Sequence, residues 1–387
     1  MSPTPVYLDC NATTPIEPAV AECLRLHHET EYGNAGSRTH DYGARAKEAV
    51  REARGRVAAV VGFKRDEVIF TSGATESNNL AILGLAAYGE KEDRRHVVTT
   101  TIEHKAVLEP AEELERRGFE VTRVGVGRSG RVDPDDVAAA VRADTLLVSV
   151  MHVNNETGVL QPLGDIAELL DGHPAFLHTD AAQGFGKDVE TLRNHRLDLI
   201  SISGHKIYGP KGVGALVMRR RRYCKVPLRP LVFGGGQEGG LRAGTLPVAL
   251  VATLGKAAEM AVKEHGARAA ACRKIKLAAL AALEPLGIRI HGDSEHTLDH
   301  VLNFAVPGID SEALIVALKD LVAASNGSAC TSTSYTPSHV MLAMGYNEDE
   351  ANEALRFSWC HLTPEVDWDG VAARIRSMQD RRGAGAR

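Results

Sequence analysis

The run Leu199-Ile200-Ser201-Ile202-Ser203-Gly204-His205-Lys206-Ile207-Tyr208-Gly209-Pro210 reads as a short apolar strand that ends in small residues. Its turn presents His205 and Lys206 side by side before Gly209 and Pro210 end regular structure. On a solvated helix face a lysine stays an ammonium, but at a crowded strand end its pKa can fall and it can form a Schiff base with an aldehyde. Many lysines after short strands only keep a surface soluble, so the case for Lys206 rests on what converges with it. One such feature is the strand Glu67-Val68-Ile69-Phe70-Thr71, followed at once by Ser72-Gly73-Ala74-Thr75 at the start of a helix. A glycine turn with hydroxyls there aims free N–H groups and the positive end of the helix dipole at an anion, and phosphate is the usual guest. An ordinary N-cap by Ser72 or Thr75 is the competing reading.

These residues need elements to hold them. From His96 onward short apolar runs alternate with amphipathic stretches, which implies an α/β fold: a mainly parallel sheet covered by helices on both faces. In such sheets ligand groups gather at the carboxyl ends of the strands. The ends here carry Glu103-His104, His152-Val153-Asn154-Asn155, His178-Thr179-Asp180-Ala181-Ala182-Gln183 and Ser203-Gly204-His205-Lys206. An anion nest, an imidazole, amides, a carboxylate and a lysine match the needs of one cofactor, pyridoxal 5′-phosphate. Gly73, Ala74, Thr75, Ser203 and His205 suit its phosphate, Asp180 its pyridinium nitrogen and Lys206 its aldehyde. His104 can stack on the ring, and Asn155 and Gln183 can bond its phenolic oxygen.

Composition narrows the class. The chain has 387 residues, 44% hydrophobic and 25% charged, enough for a large domain and a smaller one. A net charge of -5 and the lack of an extended basic stripe argue against nucleic-acid binding. Neither a leader-like N-terminus nor an 18-residue apolar stretch is present, so a cytoplasmic protein with no membrane partner is expected. The six cysteines show no C-x-x-C pair or metal-ligand spacing, so neither a metal site nor a disulfide framework is expected. A large cofactor-binding domain is expected over 16–250, with 1–15 and 251–387 forming a small α+β domain and a long linking helix, Val248 to Leu283. Within the latter, Ser325 to Thr336 is a run of small polar residues around Cys330, which reads as a surface loop exposing a reactive thiol.

The chain resembles the cysteine desulfurases of the class-V aminotransferase family over roughly residues 6 to 360. The likeness is carried by Tyr7-Leu8-Asp9, Asn11 to Pro15, Thr71 to Asn79, Glu103-His104, Val153 to Gly158, Thr179 to Gln183, Ser203 to Gly212, Gly234 to Glu238, Arg242 to Thr245 and Gly327 to Cys330. The resemblance implies the aspartate-aminotransferase-like fold, known as fold type I, and conversion of L-cysteine to L-alanine. It implies that Lys206 holds the cofactor aldehyde, that His104 stacks and helps move protons, and that Arg356 clamps the substrate carboxylate with Asn155 nearby. It further implies a homodimer in which Thr245 of the neighbouring subunit joins the phosphate site. Cys330 would take the sulfur as a persulfide and hand it to an acceptor protein, an iron–sulfur scaffold or another sulfur-relay partner. Iron–sulfur assembly, tRNA thiolation and DNA phosphorothioation all draw on such enzymes. The chain departs from the family pattern at Gly239, where an arginine is usual, at Asn326, and at Trp359-Cys360-His361. Cys360 is the second candidate nucleophile, although its place beside Trp359 reads as buried. Selenocysteine lyase, or another pyridoxal-phosphate lyase or aminotransferase of the same fold, is the alternative, and it would have no use for Cys330.

Overall fold

The computed structural model describes residues 4–221, 224–326 and 336–385; Cys330 lies outside the described residues. The strands are β1 (Val6–Tyr7), β2 (Val68–Thr71), β3 (His96–Thr100), β4 (Glu120–Val124), β5 (Thr145–Ser149), β6 (Phe176–Asp180) and β7 (Leu199–Ser203) in the first half. There follow β8 (Gly214–Met218), β9 (Arg289–Ile290), β10 (Val301–Ala305), β11 (Val322–Ala323) and β12 (Ala354–Ser358). Seven of them form one sheet in the order β2-β8-β7-β6-β5-β3-β4. Strands β4, β3, β5, β6 and β7 run parallel, and β8 is antiparallel to both β7 and β2, so β2 points with the other five. Six strands therefore deliver their carboxyl ends to one edge.

The physical reason is visible in the strands themselves. Strands β3, β5, β6, β7 and β8 are buried along their whole length, as expected of a sheet covered on both faces. Alternation sorts β7: Ile200 and Ile202 join the core that includes Val57, Leu177 and Leu254, while Leu199 faces Leu80, Leu114 and Leu146 on the other side. Ser201 and Ser203 share the Leu199 face, as His178 and Asp180 share that of Phe176 on β6.

A smaller α+β part holds the antiparallel sheet β12-β10-β9 and the parallel pair β1-β11. Its core of Phe304, Phe357, Trp359, Leu283 and Ile375 also takes in Leu8, so the start of the chain packs with its C-terminal part. The long helix expected from Val248 to Leu283 is two helices, Val248–Lys263 and His265–Leu283, because Glu264 leaves helical geometry (φ -107, ψ 7). The first lies so close to the helix Asp41–Val61 that a Cβ on Gly255 would sit 2.5 Å from the Ala53 Cα. Beyond the break, Arg268 donates to Glu264 at 2.8 Å and to Glu17 at 3.1 Å, which fixes the new direction. The helix expected to start in the Ser72 to Thr75 turn spans Ala74–Leu83, and a separate one spans Ala86–Lys91.

One buried ion pair anchors the loop around the Gly234 to Gly240 run. Glu238, in the left-handed region at φ 50, accepts from Arg54 Nη1 at 2.8 Å, Arg54 Nη2 at 2.5 Å and Phe70 N at 2.7 Å. Removing one member of a buried pair strands its partner, at a cost of about 3–5 kcal/mol. Glu238→Ala is therefore expected to lower the thermal unfolding midpoint by several degrees. An unchanged melting curve would mean that Arg54 finds water instead.

Candidate active site

Where the carboxyl edge of the large sheet meets β12 lies a cavity of about 490 Å³. After β7 the chain makes one tight turn, Gly204–Lys206, which aims Lys206 into this cavity. Its ammonium donates to the carbonyl oxygens of Asn11 and, at 2.9 Å, of Ala12. Two residues on, Tyr208 stands at φ 66, a left-handed conformation that costs about 1–3 kcal/mol in a non-glycine residue. It is held there by Thr14 Oγ1, which accepts from Tyr208 N at 3.0 Å, and by Arg268, 4.9 Å above its ring.

The helix Ala74–Leu83 starts at Gly73 without a side-chain cap, which leaves its first N–H groups facing the cavity. Strand β8 passes directly beneath. A Cβ on Gly214 would lie 2.4 Å from Ile202 O and 2.6 Å from the Gly73 Cα, so only glycine admits this approach. One turn into the helix, Asn78 Nδ2 donates to Asp180 Oδ2 at 2.7 Å, while Ala182 N donates to Asp180 Oδ1 at 2.9 Å. The carboxylate at the end of β6 is thus oriented from two sides.

Burial governs the titratable groups around it. It lowers the pKa of His104, whose Nδ1 accepts from Ala106 N at 3.0 Å and so caps the helix Lys105–Arg116. Burial, helped by Lys206 and Lys211, holds His205 down to about 4, with its Nδ1 3.1 Å from Thr13 Oγ1. Both imidazoles are neutral near pH 7. Glu103, fully enclosed, is pushed up to about 8 by burial. Across the cavity Arg356 donates to Asn155 O at 3.0 Å and to Asp9 Oδ1 at 2.6 Å.

Gly73, Ala74, Thr75, His104, Asn155, Asp180, Gln183, Ser203, His205, Lys206 and Arg356 all line this one cavity. Thr245 does not; it is exposed. Cys330 lies outside the described residues; of its described flanks, one is bonded to the lining residue Arg356 and the other to Glu156, the neighbour of the lining residue Asn155. Arg356 N donates to Ser325 O at 2.8 Å, and Ser338 Oγ donates to Glu156 Oε2 at 2.5 Å. Cys360 is 1% exposed and stands apart from the cavity.

The class-V aminotransferase family matches residues 6–370. The chain is 43% identical over 375 residues to the cysteine desulfurase IscS of Escherichia coli, covering 96% of this chain and 92% of that protein. The chain belongs to the cysteine desulfurases of the class-V aminotransferase family. Among solved structures, DndA from Streptomyces lividans is 50% identical with a TM-score of 0.81, covering 92% of this chain and 99% of that one. SspA, solved in complex with cysteine, is 35% identical with a TM-score of 0.80, covering 93% of this chain and all of that one.

Desulfurases of this family use pyridoxal 5′-phosphate, and the desulfurase cavity fits that group. Gln183 Oε1 and Asn11 Oδ1 are buried without a protein partner, and the uncapped helix start suits a phosphate. Among the described residues no cluster of His, Cys, Asp or Glu could hold a metal ion, and no helix is long and apolar enough to cross a membrane. Sequence reasoning missed Asn11, Asn78 and Lys211, which also line the desulfurase cavity. Asn78 carried a usable signal, since it follows Ala74 by four residues and so shares its helix face.

Glu103 gives the desulfurase a pH signature. Its Oε1 accepts from Thr100 Oγ1 and Met151 N, both at 2.8 Å, and its raised pKa means that the folded chain keeps a proton the unfolded chain has released. That contribution to stability is full below the ordinary glutamate pKa and is lost as pH rises to about 8. Glu103→Gln stays neutral, so its stability relative to the parent is expected to rise from about pH 5 to about pH 8 in urea unfolding. A difference independent of pH would show that the carboxyl titrates normally in the folded chain.

Proposed function

We propose that this chain converts L-cysteine to L-alanine and passes the sulfur, as a persulfide on Cys330, to an acceptor protein. The observation that carries the reading is the convergence of Lys206, Asp180, His104 and Arg356 on one cavity, with Arg356 also bonded to Ser325 on the N-terminal flank of the Cys330 segment. Bound pyridoxal phosphate supplies an aldehyde for covalent attachment and a ring that takes up electrons from the substrate's Cα.

The chain's own residues do the rest. Arg356, held by Asp9 and the Asn155 carbonyl, presents a fixed planar fork to the substrate carboxylate. Lys206 Nζ is the group that moves the Cα proton, with the neutral His104 ring stacked as its neighbour. Asp180, oriented by Asn78 and Ala182, would meet the ring nitrogen of pyridoxal phosphate. Gly73 to Thr75, Ser203 and His205 would hold its phosphate. Cys330 supplies the thiolate that takes the substrate sulfur and passes it on.

The functional unit is a homodimer in the cytoplasm. Thr245, exposed on its own chain, completes the phosphate site of a second copy. The sulfur acceptor belongs to iron–sulfur cluster assembly, tRNA thiolation or DNA phosphorothioation.

The decisive measurement is alanine and sulfide release from L-cysteine with a thiol reductant, followed together with the visible absorbance of the cofactor. Lys206→Ala is expected to lose the absorbance band, and alanine formation should fall by at least about 10²–10⁴-fold. Cys330→Ala is expected to keep the band and lose turnover. Full turnover by Cys330→Ala would replace the desulfurase reading with that of a lyase, such as one acting on selenocysteine, that needs no cysteine nucleophile.

A further inference from the structure

Beyond the cavity, Cys10 and Cys360 meet where the chain leaving β1 crosses the end of β12. Asp9 and Ser358 form a parallel bridge, Cys10 N donates to Ser358 O at 3.0 Å, and both cysteines share a buried cluster with Tyr208. Their environments differ. The Cys360 sulfur accepts from Thr363 Oγ1 at 3.7 Å. With Cys10 beside it as the leading influence, Cys360 is pulled down to about 6, while Cys10 is raised by Cys360 and by burial.

Both residues also line an open hollow of about 450 Å³, with Tyr7, Thr13, Leu362 and Pro364 around them, so a small oxidant can reach the pair. Cys10 is followed directly by Asn11, whose carbonyl accepts from both Lys206 and Gln183. Cys272, in contrast, is raised to about 12 by burial and lines a different hollow with Lys187 and His300.

We propose that Cys10 and Cys360 form an oxidisable dithiol that couples peroxide to the Lys206 anchor. The Cys360 thiolate attacks one peroxide oxygen; an S–O bond forms, the O–O bond breaks, and hydroxide leaves. The Cys10 sulfur then displaces water from the resulting sulfenic acid and forms the S–S bond. In total two thiols lose two electrons and two protons, and one peroxide becomes two waters. An S–S bond of about 2 Å would fix Cys10 against β12 and so reposition the adjoining Asn11 and Ala12 carbonyls, which accept from Lys206 Nζ. The pairing itself is independent of function, whereas the coupling rests on the reading of Lys206 given above.

The test treats the cofactor-loaded Cys330→Ala enzyme with hydrogen peroxide, which keeps Cys330 from taking part. Non-reduced peptide maps are expected to contain a Cys10–Cys360 linked peptide, with the loss of two free thiols per chain and full reversal by dithiothreitol. The visible band is expected to shift in step with linkage, and Cys10→Ser is expected to show neither change, while Cys272→Ser shows both. Cys360 oxidised without linkage to Cys10 overturns the dithiol. Linkage that leaves the band unmoved overturns the coupling, and a band retained by Lys206→Ala overturns the reading of Lys206 while leaving the peptide map to decide the disulfide.

Discussion

Four distant segments meet at Asn11, and the site depends on that meeting. Its carbonyl accepts from Lys206 and from Gln183 at 2.9 Å, its amide donates to Asn155 O at 3.0 Å, and its backbone N–H donates to Ser358 Oγ at 2.9 Å. Withdrawing an amine from water costs free energy unless it is hydrogen-bonded, and here two backbone carbonyls accept from it. The same contacts tie the N-terminal segment to the turns after β6 and β7 and to β12. The smaller part of the molecule is thereby held against the carboxyl edge of the large sheet, with Arg356 facing Lys206 across the cavity.

Desolvation sets the charge of the cavity. His104 and His205 are held neutral by burial, as is His178 beneath them, whose pKa falls to about 4. Glu103 is likewise kept protonated near neutral pH. What remains is Lys206, Lys211, Arg356 and an uncapped helix start, with the carboxylates of Asp180 and of Glu76, the latter paired with Arg242 at 3.0 Å. That distribution suits a ligand with anionic ends, a phosphate and a carboxylate, around a cationic ring nitrogen.

Much of this was legible in the residue pattern. Strand β7 spans Leu199–Ser203 as expected, because five apolar or small residues between turn signals leave little choice. The α/β class with a mainly parallel sheet follows from the regular alternation of apolar strands and amphipathic helices. The helix break at Glu264 was not legible, since alanine-rich sequence continues through it and contacts remote in sequence, such as Arg268 with Glu17 and His265 with the Lys187 carbonyl, hold the new direction. Asn11 was not singled out either: it lies in an irregular turn, and its importance comes from partners 144 to 347 residues away.

The sequence alone determined which chemical groups stand at the strand ends, because local patterning places strand termini and each terminus carries its side chains with it. Lysine, aspartate, histidine and the glycine turn could be read from the chain in that way. Only the tertiary structure decided that these ends share one cavity, that Arg356 reaches it from β12, and that Cys10 lies against Cys360. Contacts between residues hundreds of positions apart depend on how whole layers pack, and no local periodicity encodes that.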